Sequence, residues 1–227
     1  PLRGDLPAGT AGYEARTVTP SPDAKILFHR GQDNQAAGII AWPTAGGFAQ
    51  IRESRQLEIL TQVFQNRLLD RLREKLGEAY SPQVVNAWPI ELQGGGNVMA
   101  IANLQPKSVP IFFATAEGIA TDLATTPPTA EELNRVTEPL KQALNRASSS
   151  SAFFMYLIEG GTSEPARYRS VRSLLSDYTE TTPQAMQALA AKYFGPGRSW
   201  RLAVIPQGQR LVQMPVPTSI AAPAPGR

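Results

Sequence analysis

The sequence predicts an α+β domain of two layers, a mostly antiparallel sheet with helices packed on one face. Short β-rich runs stand near both ends of the chain, whereas apolar residues at spacings of three and four fill its middle. With 42% hydrophobic and 18% charged residues over 227 positions, the chain can bury a core as one compact unit.

The elements follow in order. Residues 1–21 are rich in Gly, Pro, Thr and Ala without periodicity and read as a linker or strap. Pro1-Leu2-Arg3-Gly4-Asp5 has no initiator Met and no apolar signal core, as expected of an internal start. The domain proper is expected over 22–206. Ala24 to Phe28 and Gln35 to Trp42 are β-rich runs separated by Gly31, Asp33 and Asn34, which predicts a strand pair. Pro43 to Gly47 is expected to interrupt the sheet. A long helix follows from about Glu53 to Leu76: Leu57, Leu60, Phe64, Leu68 and Leu72 form its apolar stripe, and Gln62, Asn66, Asp70 and Arg73 a second, polar one. Gly77 is placed to end it.

Tyr80 to Ala87 and Asn97 to Leu104 read as strands joined through Trp88-Pro89 and the Gly94-Gly95-Gly96 run, which is taken as a flexible connection. A helix is expected from Val109 to Leu123. Thr129-Ala130-Glu131-Glu132 is a capping box opening the next one, in which Pro139 should produce a kink or an early end. Ala152 to Glu159, Ala166 to Ser176 and Thr182 to Phe194 are helical, the last with Thr182 as cap and Pro183 in its first turn. Trp200 to Ile205 closes the sheet. Residues 207–227 form a Pro- and Ala-rich tail.

Several function classes are excluded or disfavoured. No apolar run reaches the roughly 18 residues of a membrane span, so a soluble domain without a spanning segment is expected. The 22 Lys and Arg are interspersed with 19 Asp and Glu for a formal charge of +3, which argues against nucleic acid as a partner. The absence of cysteine removes disulfides and thiolate chemistry. A lone histidine, His29, cannot supply the imidazoles of a common zinc hydrolase site, so it is read as structural and no metal or cofactor is expected in this chain. Ser148 to Ser151 lack a G-x-S-x-G turn and read as a helix break. The glycine run lacks the lysine of a phosphate loop.

What is left is a pattern. Phe64-Gln65-Asn66-Arg67-Leu68-Leu69-Asp70-Arg71-Leu72-Arg73-Glu74-Lys75-Leu76-Gly77-Glu78-Ala79-Tyr80-Ser81 resembles the segment ending L-R-E-x-x-G-x-x-Y-S in C-terminal domains of the pitrilysin and insulin-degrading-enzyme family. Leu104-Gln105-Pro106, the Thr129 to Leu133 helix start, and Thr182-Pro183 leading through Ala190-Ala191-Lys192-Tyr193 to a last strand fall in the family's order. The resemblance covers about Lys25 to Pro206.

The resemblance implies a fold like that of mitochondrial-processing-peptidase domains and a division of labour. Such domains pair with a zinc-bearing domain carrying H-x-x-E-H, in the same polypeptide or a partner chain, and the two halves enclose an unfolded peptide. This chain resembles the half without zinc. Alone it would be inactive, with no catalytic residue of its own; its site residues would be Arg73 and Tyr80, which would hold substrate. Similarity to bacterial members points to the periplasm. Read from the residues alone, without the resemblance, Arg73 is better taken as a solvated arginine on a polar helix face and Tyr80 as a strand residue with its hydroxyl at the sheet rim. An inactive scaffold subunit or a stand-alone peptide-binding module also stays open.

Overall fold

A computed structural model of the chain describes residues 23–76, 81–90, 92–151, 153, 155, 159 and 165–211. Five strands, β1 (Lys25–His29), β2 (Ala36–Ala45), β3 (Gln83–Ala87), β4 (Gly94–Leu104) and β5 (Trp200–Pro206), make one sheet in the order β1-β5-β2-β4-β3. Only β1·β5 is parallel; β2·β4, β2·β5 and β3·β4 are antiparallel.

Small and apolar residues alternate along the two central strands. Ala36, Ile40 and Trp42 on β2 and Val98, Ala100 and Ala102 on β4 face the core, as a period of two requires of a strand with one covered face. Ile39, Met99, Ile101, Leu202 and Val204 occupy the other face and are half-buried.

Four expectations about the sheet and its helices are corrected. β1 does not pair with β2: the two run antiparallel, as in a hairpin, but β5 lies between them, and the Gln207 N–H closes the end by donating to His29 O at 2.8 Å. A strand edge offers the same backbone groups to any partner, so adjacency in sequence does not decide pairing. β2 continues through Pro43 to Ala45, because β5 leaves it after Ala41 and only the β4 side needs donors there. The glycine run belongs to β4, where the register shifts opposite Thr44 and Ala45. Gly95 has φ +86°, open to glycine, and a Cβ on Gly96 would strike Ala45 O and come within 2.5 Å of Thr44 Oγ1.

The helices are α1 (Ile51–Leu76), α2 (Val109–Thr125), α3 (Ala130–Ala147), α4 (Pro165–Arg172), α5 (Leu174–Thr179) and α6 (Pro183–Tyr193). The apolar stripe of α1 is buried as its spacing predicts, Leu57, Leu60, Phe64 and Leu68 completely. Thr129 and Glu132 form both halves of the capping box on α3, and Thr182 accepts from Ala185 N–H to start α6. The fourth correction concerns helix continuity: α3 runs unshortened past Pro139, whereas the stretch 166–176 is split at Ser173. There the Ser173 hydroxyl turns back onto Ser170 O at 3.4 Å, a side-chain to backbone bond that competes with helical continuation. Ser148 and Ser149 turn back onto Asn145 O and Arg146 O in the same way, giving the expected break. The helix expected over Ala152 to Glu159 lies largely outside the described residues, as do Gly77 and residues 1–21 and 212–227.

The two layers meet at an aromatic trio, Trp42, Phe64 and Phe194. Its three centroid distances are 5.5, 5.3 and 5.7 Å, and all three rings are at most 2% exposed. A strand, a helix and the end of α6 are thereby locked together, and α1 is held rigidly against the sheet.

Candidate functional site

Once its apolar stripe is buried, α1 turns a polar stripe outward. Ser54, Glu58, Gln62, Asn66, Asp70 and Arg73 recur at four and finally three residues, so they share one side of the helix, and each is partly or fully exposed. β3 flanks this stripe on one side, leaving a groove of about 440 Å³ that Ser54, Glu58, Gln62, Val85, Asn86 and Trp88 help to line. α3 flanks the other, leaving a groove of about 520 Å³ lined by Glu58, Gln62, Asn66, Val136 and Leu140. Glu58 and Gln62 belong to both. The outcome is a trough with α1 as its floor, and Arg73 stands about 16 Å beyond Gln62 along the axis.

The other cations near the end of α1 are engaged. Arg67 makes a two-pronged pair with Glu132, Nε to Oε1 at 2.7 Å and Nη2 to Oε2 at 2.9 Å. Arg71 reaches Asp122 Oδ2 at 2.5 Å, and Lys75 donates to Thr115 Oγ1 at 3.2 Å. These tie α1 to α3 and α2. Glu132 is correspondingly held at about 2, first by the hydrogen bond from Arg67 and also by the N–H of Thr129 in the capping box. Arg73 differs: it is exposed and bonds to no described residue. Tyr80, the second expected site residue, lies outside the described residues.

At its other end α1 is anchored from beneath. Arg55 donates to Asp177 Oδ2 at 2.7 Å and to Ser170 O at 2.8 Å, and the two charged side chains are 9% and 2% exposed. Tyr178 donates to Glu58 Oε2 at 2.5 Å; burial, then that carboxylate, pushes its phenol above the ordinary range.

One side chain of α1 was not singled out by its sequence position. Gln65 reaches the edge of β3, where Nε2 donates to Pro82 O at 2.6 Å and Oε1 accepts from Val84 N–H at 2.5 Å. Its place between Phe64 and Asn66 offers no signal of this, since the partners lie 17 and 19 residues onward. His29 bonds locally: Nδ1 accepts from Gly31 N–H at 2.9 Å and Nε2 faces Gln35 O at 2.8 Å. Among the described residues no three His, Cys, Asp or Glu side chains cluster as metal ligands. No helix among them is long and apolar enough to cross a membrane.

Five strands in this order under these helices define a domain with the peptidase M16, or pitrilysin-type, fold, the one that the resemblance implied. No family model and no curated protein matches the sequence. Among solved structures, the chain is similar to the peptidase M16 inactive domain from Pseudomonas fluorescens, at 16% identity and a TM-score of 0.64, with 89% of this chain and 48% of that chain covered. It is similar to the periplasmic protease PqqL from Escherichia coli, at 14% identity and a TM-score of 0.67, covering 89% of this chain but 22% of that one. A Bordetella pertussis Tohama I chain described as a candidate zinc protease gives 17% identity and a TM-score of 0.59, with 75% and 93% covered. The chain thus spans less than half of the first two proteins.

Proposed function

We propose that this chain is the non-catalytic, substrate-holding half of a zinc-dependent endopeptidase, whose metal site lies in a second domain of the same polypeptide or in a partner chain. The observation that carries the reading is Arg73. Three neighbouring cations are engaged by Glu132, Asp122 and Thr115, while Arg73 is exposed in the last turn of the helix that floors the trough. A guanidinium offers fixed N–H donors to a peptide carbonyl and supports negative charge developing on its oxygen. Tyr80, seven residues on, would add a phenolic donor. Zinc in the other half would polarise the scissile carbonyl and activate water; the part of this chain is to bind and orient an unfolded peptide. The similarity to a periplasmic protease supports a periplasmic location.

The test is peptide hydrolysis with added zinc, first by this chain and then with its zinc-bearing half. Cleavage confined to the combined sample, sensitive to chelator, supports the reading. Arg73→Ala and Tyr80→Phe should each reduce turnover of the assembled protein without unfolding it. Unchanged turnover in both variants would leave a scaffold role in place of a substrate role, and zinc-dependent cleavage by the chain alone would overturn the assignment.

A further inference from the structure

β3 is an edge strand, with β4 on one side and no described strand on the other. Opposed residues of an antiparallel pair alternate between those that exchange both backbone hydrogen bonds and those that exchange none. Val84 N–H donates to Gln65 Oε1, so Val84 is of the second kind, and Asn86, two residues on, shares its orientation. Val84 C=O and both backbone groups of Asn86 therefore face away from β4, whereas Gln83, Val85 and Ala87 hold the ladder.

Edge strands are ordinarily protected by charge, by proline or by a cover. Residues 83–87, Gln-Val-Val-Asn-Ala, carry neither charge nor proline, and outside them lies the groove shared with α1. From Ser54 to Gln62 that wall is about 12 Å long, the reach of about four extended residues. Val85 and Ile90 are 39% and 38% exposed and offer apolar contact. The edge also already holds an amide: Gln65 supplies one N–H and one C=O to Pro82 O and Val84 N–H, the pair of bonds that the N–H and C=O of one residue of a parallel added strand would make.

We propose that the outer edge of β3 is a docking strand for an extended polypeptide, which continues the pairing that Gln65 begins and is recognised through its backbone. β1, the opposite edge, has no comparable helical wall among the described residues. The inference deepens the proposed function and rests on the reading that the chain handles peptides, but it requires neither Arg73 nor Tyr80.

The probe is a fluorescein-labelled ten-residue peptide of alternating valine and threonine, titrated by anisotropy into the full 227-residue chain, with amide exchange of Asn86 followed by NMR. Saturable binding that slows Asn86 exchange is expected. Asn86→Pro and Asn86→Ala both remove the side-chain bond that Asn86 Nδ2 donates to Ser54 O at 3.0 Å, but only the proline also deletes the outward N–H; Asn86→Pro should therefore bind about tenfold more weakly than Asn86→Ala, the equivalent of about one hydrogen bond. N-methylation of alternate peptide residues should abolish binding to the unaltered chain in one phase and spare it in the other, a test that needs no variant to fold. Absence of binding, equal binding by Asn86→Pro and Asn86→Ala, or indifference to the methylation phase would overturn the proposal. So would an Asn86 amide already protected in a dimer of this chain, since a second copy would then occupy the edge. Loss of turnover on Arg73→Ala in the assembled protein is read separately, so either idea can fail while the other stands.

Discussion

Asp177→Ala should be among the most damaging single substitutions in the domain. Asp177 Oδ2 accepts from Arg55 Nη1 at 2.7 Å and from the Ser173 hydroxyl at 2.9 Å, and Oδ1 lies 3.9 Å from Arg52 Nε. Removing the carboxylate strands the Arg55 charge at 9% side-chain exposure, with only Ser170 O and Ser173 Oγ as remaining partners. An uncompensated buried charge of this kind costs about 3–5 kcal/mol, about a fifth or more of a total stability of about 5–15 kcal/mol. At about 2–4 °C per kcal/mol for a domain of this size, the melting temperature should fall by about 6–20 °C. Urea titration and a thermal scan by circular dichroism measure both. The paired replacement Arg55→Met with Asp177→Leu should recover most of the loss, since it removes both charges and keeps the volume. A loss below about 1 kcal/mol for Asp177→Ala, or a double variant weaker than the single one, would show that the pair does not anchor α1 as described.

Three further outcomes follow from the geometry. The folded pKa of Glu132 is lowered to about 2 from 4.5, so its contribution is complete above the unfolded value and is lost as pH falls from 4.5 toward 2. Because the group is partly exposed that contribution is about 1 kcal/mol, and acid titration of Glu132→Gln should show a correspondingly flatter stability profile over the same window. Gly96→Ala should cost about 1–3 kcal/mol by forcing β2 and β4 apart, whereas Gly94→Ala, whose Cβ meets nothing within 4 Å, serves as the control in chemical denaturation. Phe194→Ala removes one ring of the trio and should cost about 3–5 kcal/mol in the same assay. A loss under 1 kcal/mol would mean that the ring site collapses freely.

The helices were legible where their signals are local. The spacing of Leu57 to Leu72 places α1 within two residues of its observed start, and Thr129 with Glu132, or Thr182 with Pro183, marks a helix start through bonds spanning three residues. The polar stripe that carries Arg73 was legible for the same reason, because a helix converts spacing into a face.

Only the tertiary structure decided which strand lies beside which. β5 enters between β1 and β2 from the far end of the chain, Pro43 is tolerated because β5 has ended, and Gly94 to Gly96 serve as strand because Ala45 O and Thr44 Oγ1 crowd Gly96. The trough is of this kind too. Its floor could be read from one helix, but its walls, the Gln65 bridge to Val84 and the Arg55–Asp177 anchor join residues 19 and 122 positions apart, and no periodicity reports such a distance. The sequence by itself determined the layer architecture, the helix starts and the absence of thiolate chemistry. Strand order, the outer position of β3 among the described strands and the pairing of Arg67, Arg71 and Lys75 but not Arg73 with described residues were decided by packing, because backbone edges and cations are interchangeable until the fold assigns their neighbours.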